Sequence, residues 1–330
     1  MLPCSFGTGG DGVTGQGHGW EGMQWQEWKH VEVIRWRLEQ GADPDDLNGS
    51  RPLHQAVMSG SPQVVMELAL RVADVDALQD GTTALWEAVM ENQPDSARAL
   101  VAAGADPWRQ LIAGWSPGRL SLAGPTPNLF TIPDGQQGLS DTERAAVHQA
   151  RQLLAVLKDI HYEGLGLVCV AGIDAPEAIR RLQAIPVEGS RLHALQKPSW
   201  GEDLRTVGVT TVPGGCIVTQ PWGYAPQMPG VQKLLSAGTS CYGLYANAKS
   251  GDQGSIARNG TIEDWDLIPG GDLDPEDTPT SEDVLQHYLY RHNAVAYACA
   301  WAGLHLTDTH AVFGPPDTWV DLPERDYWHS

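Results

Sequence analysis

The residues best suited to chemistry lie in the C-terminal half of the 330-residue chain. Asp174, Arg258, Glu263 and Asp264 supply carboxylates and a guanidinium among the aromatic side chains Trp222, Tyr224, Tyr242, Tyr245 and Trp265. Trp115 stands apart in a Gly- and Pro-rich stretch. Aromatic walls with one or two carboxylates can hold and turn over a small organic molecule by shape and proton transfer, and that leaves no sequence motif. The plainer alternative is that the rings are core: the chain has 13 Trp and 3 Phe. Arg258 and Glu263 flank Asn259-Gly260 and should be cross-strand neighbours, so an ion pair is their simplest role.

Other constellations carry less. Gly7-Thr8-Gly9-Gly10-Asp11-Gly12 fits G-x-G-x-x-G, but no strand precedes it, so the dinucleotide-binding context is missing. Asp272, Asp274, Glu276 and Asp277 lack the glycine and terminal glutamate of a calcium loop and read as a solvated linker. His287 and His292 are five apart, as are His305 and His310, which puts neither pair on one helix face. The 5 cysteines are dispersed with no C-x-x-C, and Cys169, Cys216 and Cys299 sit in apolar runs as buried thiols. No metal and no cofactor are expected.

The elements around these residues alternate in an antiparallel manner. Leu165 to Ala171 is an apolar strand. Asp174 caps a helix with Pro176 and Glu177 in its first turn and Ile179 and Leu182 inside. Residues 206–212 and 216–219 form a hairpin about Pro213-Gly214-Gly215. A short helix from Pro229 stops at Gly238, and Tyr242 begins another strand. Asn259-Gly260 joins a second hairpin, because both its turn positions need positive φ. One last helix runs from about Ser281 to Ala302.

The N-terminal half repeats. Gly49-Ser50-Arg51-Pro52-Leu53-His54-Gln55-Ala56 aligns with Gly81-Thr82-Thr83-Ala84-Leu85-Trp86-Glu87-Ala88 at an offset of about 32 residues, and Gly41-Ala42-Asp43-Pro44 foreshadows Gly104-Ala105-Asp106-Pro107. Val64, Val65 and Leu68, then Ala97, Leu100 and Val101, give helical apolar stripes. Trp25, Trp28, Val31, Ile34 and Leu38 suggest one capping helix over 20–40. This pattern resembles the ankyrin family, with Arg51 where that family prefers Thr and Trp86 where it has His. The resemblance implies stacked helix pairs, a hydrogen bond from His54 to backbone of the next repeat, and a partner-binding face near Arg51, His54, Trp86 and Glu87.

Gly114-Trp115-Ser116-Pro117 opens a degenerate last copy. A long loop over 118–138 then interrupts it, before a helix with the capping box Ser140-Asp141-Thr142-Glu143. Gly114-Trp115-Ser116-Pro117-Gly118-Arg119-Leu120 and Cys169-Val170-Ala171-Gly172-Ile173-Asp174, with the hairpin-rich stretch, are similar to an uncharacterised actinobacterial family. In it an α+β domain follows ankyrin repeats, over nearly the whole chain. That resemblance supplies architecture and no chemistry. The expected fold class is therefore α+β, an N-terminal all-α ankyrin solenoid followed by an antiparallel α+β domain. The expected parts are a flexible tail over 1–19, the array over 20–160 and the second domain over 164–330.

The net charge of −20 repels nucleic acid and anionic membranes and suits a basic partner. No run of about 18 apolar residues spans a membrane, and the N-terminus lacks a basic start and apolar core, so a cytoplasmic protein is expected. Two functions follow. The first is a binding protein without catalysis that takes a protein partner. The second is a cofactor-independent enzyme (cyclase, isomerase or hydrolase) acting on a small organic ligand. Its pocket would lie between array and second domain, with Trp115 inside and the 118–138 loop as lid.

Overall fold

The computed structural model describes residues 19–59, 61–158, 162–195, 205–247, 249, 251–270, 273 and 278–329. Most of the expected tail, with the glycine motif at 7–12, lies outside the described residues, as do Asp272, Asp274, Glu276 and Asp277. The chain divides into two compact units, Met1–Asp134 and Gly135–Ser330.

The first unit is a stack of helix pairs. A 3₁₀ helix, Trp25–Lys29, is followed by α1 (Val31–Glu39). Then come α2 (Pro52–Ser59) with α3 (Pro62–Ala69), and α4 (Ala84–Met90) with α5 (Pro94–Ala102). A short α6 (Pro117–Ser121) closes the unit. First helices pack on first helices, from the 3₁₀ helix through α2 and α4 to α6, and second helices on second helices, from α1 through α3 to α5. Proline opens α3, α5 and α6, where its missing N–H costs no hydrogen bond. Thr83 and Ser116 cap α4 and α6 by accepting from the backbone N–H of Trp86 and Arg119.

The repeat is visible as repeated hydrogen bonds. The carboxylates of Asp43, Asp74 and Asp106 each accept from the N–H two residues on, at 2.9, 2.9 and 2.8 Å. Asp45 accepts from the N–H of Ala73 in the next copy at 3.0 Å, and Asp76 from that of Asp106 at 3.0 Å. His54 Nε2 lies 3.2 Å from the Thr82 carbonyl, the inter-repeat bond implied by the resemblance. Val64, Val65, Leu68, Ala97 and Leu100 are fully buried.

Three expectations are corrected in this region. Residues 20–40 are not one helix: His30, at φ −108° and ψ 103°, breaks them into the helix pair of a first repeat. Trp28 and Ile34 are buried while Trp25 is exposed. The expected loop begins later than residue 118, since Gly118 lies inside α6, close against Pro107 and Trp108. The helix after the loop, α7 (Asp141–Leu157), belongs to the second unit, where Ala150, Leu153 and Leu157 enter the core. Its capping box forms as expected, but a cap fixes where a helix starts and not what it packs on.

The second unit is an antiparallel sheet covered by helices on both faces. Its strands are β1 (Gly166–Ala171), β2 (Ile185–Pro186), β3 (Thr206–Val212), β4 (Gly215–Gln220), β5 (Ser240–Asn247), β6 (Gly251–Arg258), β7 (Thr261–Asp264) and β8 (Thr318–Asp321). They lie in the order β2-β8-β3-β4-β1-β5-β6-β7, with every pairing antiparallel. Besides α7, the helices are α8 (Ala175–Leu182), α9 (Ser190–Leu195), α10 (Pro229–Leu235), α11 (Ser281–Tyr290), α12 (Ala294–Trp301) and α13 (His310–Phe313).

Alternation sorts the core into two layers. Leu165, Leu167, Cys169, Ile217, Tyr242 and Leu244 pack with α7, α12 and α13 on one face. Val168, Val170, Val207, Val209, Val218 and Cys241 pack with α8 and α10 on the other. A central strand buried on both faces needs apolar residues throughout, which is why β1 reads as an unbroken apolar run. The last helix is split: His292 takes φ +65°, and the Asn293 side chain caps α12 by accepting from Ala296 N–H at 2.9 Å. Strands β2 and β8, of two and four residues, carry too little alternation to be seen in the sequence.

Candidate functional site

The ten residues expected to form one pocket are dispersed. Trp115 belongs to the first unit, is fully buried, and carries the Arg119 guanidinium 4.2 Å above its ring. Asp174 caps α8, its Oδ1 accepting from Glu177 N–H at 2.9 Å, as the sequence implied. Tyr242 is fully buried on the α12 face, where its hydroxyl donates to Asp266 at 2.6 Å. Burial, reinforced by the Asp266 charge, holds that hydroxyl far above its ordinary pKa. Tyr245, three residues on in the same strand, points to the opposite face and meets Tyr224 at 5.9 Å, which in turn contacts Trp328 at 5.8 Å. An odd separation along a strand sends two side chains to opposite faces, so Tyr242 and Tyr245 cannot share a site.

Arg258 and Glu263 form the expected ion pair at 3.0 Å. The register pairs Arg258 with Thr261, so Glu263 reaches it diagonally past a bulge between Ile256 and Ala257. The Arg258 guanidinium also lies 4.7 Å from the Trp301 ring centre. Asp264 accepts from the N–H of Trp265, whose ring is exposed. These residues are tied to one another rather than aimed into a common space.

A cavity of about 570 Å³ lies elsewhere in the second unit. Its wall contains Tyr162 and Leu165 at the start of β1, Pro221 and Trp222 after β4, Phe313 to Pro315 at the end of α13, and Trp319 on β8. Trp222 is the one expected residue found there. Trp319 arrives through the pairing of Gly208 on β3 with Trp319 on β8, a contact across 111 residues that no local pattern announces. A smaller cavity of about 260 Å³ is lined by residues of α7, α11 and α12. Neither is lined by Trp115.

Polar clusters outside the cavities are mostly structural. His310 is hydrogen-bonded to Asp308 through Nδ1 and lies 3.8 Å from Asp317 through Nε2. Asp317 itself accepts from Thr211 N–H at 3.0 Å, pinning the start of β8 to β3. The hydrogen bonds from His310 pull the Asp308 carboxyl below its usual range. Burial pushes the thiols of Cys216 and Cys241 up to about 12, so they are inert at neutral pH. Among the described residues no three His, Cys, Asp or Glu side chains converge as a metal site would require.

In the repeat unit, the expected face is only partly available. His54 and Trp86 are buried, His54 by its bond to the Thr82 carbonyl and Trp86 within the helix stack. Neither can meet a partner. Arg51 and Glu87 remain half-buried, with Arg51 donating to the Leu78 carbonyl at 3.0 Å and Glu87 accepting from the Thr82 hydroxyl at 2.8 Å. Met58 on the first helix of its repeat and Leu78 before the turn are 47% and 43% exposed, and the turn residues Asp46, Asn48 and Asp80 are exposed as well. Their exposure could not be read from the repeat signature, which records what the stack conserves internally.

A family model for ankyrin repeats matches residues 25–110, in three copies. That span covers the pairs from the 3₁₀ helix to α5. The N-terminal unit is therefore an ankyrin repeat array, and arrays of this kind point to protein interaction. No curated protein matches the chain. No helix among the described residues is long and apolar enough to cross a membrane.

Proposed function

We propose that the chain is a non-catalytic interaction protein whose ankyrin array holds a protein partner across its turns and first helices. The observation carrying this reading is the stack of matched repeats, in which Met58, Leu78 and the turn residues Asp46 and Asp80 are exposed. An array with exposed apolar side chains and exposed acidic turn residues suits a partner segment that is basic with an apolar anchor. The overall charge of −20 would steer such a segment at long range. A cytoplasmic setting fits the buried free thiols of the four described cysteines.

The test uses the purified full chain and the double variant Met58→Asp, Leu78→Asp as baits against the proteome of the source cells. The expected result is a partner held by the parent chain, released by added salt, and weakened at least about tenfold by the variant. Equal retention by both baits, or a partner indifferent to salt, would overturn it.

The enzyme reading keeps one supporting observation, the cavity of about 570 Å³ in the second unit, which lies within the range of small-molecule sites. Among the described residues, Tyr162 and Glu163 are titratable side chains in its wall. Burial, and then the charge of Asp252, raise the Tyr162 hydroxyl above its ordinary pKa, which suits it to hold a proton rather than release one.

A further inference from the structure

The four described cysteines are all buried, but the sheet sorts them into two unequal pairs. Cys216 on β4 and Cys241 on β5 both stand opposite Val170 of β1, so a whole strand separates them. Two strand spacings amount to about 9.5 Å, beyond the roughly 7 Å over which a disulfide can close. Cys169, one residue earlier on β1, faces the other side of the sheet. There its Sγ lies 3.7 Å from that of Cys299 on α12, 130 residues away in the chain. Both side chains are fully buried in one core layer. Sulfurs this close need approach by only about 1.7 Å more to bond. Helix α12 is eight residues long and lies between two left-handed residues, His292 at φ +65° and Gly303 at φ +69°.

We propose that Cys169 and Cys299 are an oxidant-closed latch, a reversible disulfide that ties α12 to the central strand β1. Hydrogen peroxide is the oxidant. The sulfur of one cysteine attacks a peroxide oxygen, the O–O bond breaks, and a sulfenic acid forms with release of water. The second sulfur then attacks the sulfenic sulfur, the S–O bond breaks, and the hydroxide leaves as water with the second thiol's proton. Two thiols are oxidised by two electrons and one peroxide is reduced to two waters. A dithiol reopens the bond by exchange. Burial holds the Cys169 thiol well above its ordinary pKa, so closure waits until the α12 face opens. The latch therefore responds to oxidant and opening together. It is independent of the repeat array and of whatever the array holds.

The test treats the full chain with excess hydrogen peroxide, with and without urea below the sheet unit's transition. Cys4→Ser removes the one cysteine outside the described residues. After alkylation and digestion, mass spectrometry should find Cys169 joined to Cys299, faster in urea and released by dithiothreitol, with Cys216 and Cys241 still free thiols. Amide exchange across 294–301 should slow by about tenfold in the oxidised chain. Cys299→Ala should abolish the cross-link and leave a sulfenic acid at Cys169 that dimedone traps. If that variant fails to fold, the peptide map and exchange of the Cys4→Ser chain decide alone. No Cys169–Cys299 peptide even in urea, equal pairing with Cys216 or Cys241, or unchanged exchange in the cross-linked chain would overturn the proposal.

Discussion

The two units bury apolar surface by opposite strategies. In the array, every helix packs on its pair mate or on the equivalent helix one repeat away, so contacts span about one period and the same hydrogen bonds recur copy by copy. In the sheet unit, β1 pairs with β4 and β5, and β8 pairs with β2 and β3, so neighbours in space are far apart in sequence. A repeat array can lose one contact and keep the rest. A sheet whose middle strand joins its two halves cannot, and each unit should fail in its own way when its core is broken.

The largest expected effect separates them. A Cβ at Gly215 would sit 1.9 Å from the Val170 carbonyl oxygen, where the β4 backbone crosses β1. Gly215→Ala should prevent the second unit from reaching its native sheet, leaving a chain that retains the array's helical signal and loses the near-UV signal of the sheet aromatics. A cooperative native-like melt of both units would refute the claim that β1 and β4 are that closely fitted.

Next in size is Leu100→Ala in α5, a fully buried position. Removing it should cost about 2–5 kcal/mol from cavity formation. The loss should appear as earlier denaturant unfolding of the array, with the sheet transition unmoved. Shared displacement of both transitions would show that the units are energetically coupled.

The smallest effect concerns acid. Hydrogen bonds from Arg180 and then Arg181 lower the Glu177 pKa from 4.5 to about 2 in α8. A carboxyl depressed on folding stabilises the unit above its unfolded pKa, and that contribution disappears as pH falls from 4.5 through about 2. In the array, burial raises the Asp76 carboxyl instead, so its influence has the opposite sign: protonation favours the fold. Glu177→Gln should therefore flatten the acid side of the sheet unit's stability profile and leave the array's profile as it was. An unchanged acid profile in the variant would mean that Arg180 and Arg181 give Glu177 no net support.

The legible parts of the molecule are those whose cause is local. Asp174 and the capping box that opens with Ser140 mark helix starts, and each stands at one. Asn259-Gly260 turns because both residues take positive φ, at 48° and 79°. His54 finds the Thr82 carbonyl because the repeat carries its partner at a fixed offset. The same logic misled at α7, whose clear amphipathic stripe names a buried face without naming what covers it, and at residues 281–302, where Asn293 restarts the helix after a break the apolar pattern runs through.

By itself, then, the sequence determined the two central helix pairs of the array, most of the strands and hairpins, and the division into a repeating half and an alternating half. Those follow from backbone propensity and periodicity within a few tens of residues. Only the tertiary structure decided that the aromatics of the expected site separate, that Tyr162, Phe313 and Trp319 meet Trp222 around a cavity, and that Trp86 turns inward. Strand order and register set those outcomes, and they depend on pairings between distant segments that no residue announces to its own neighbours.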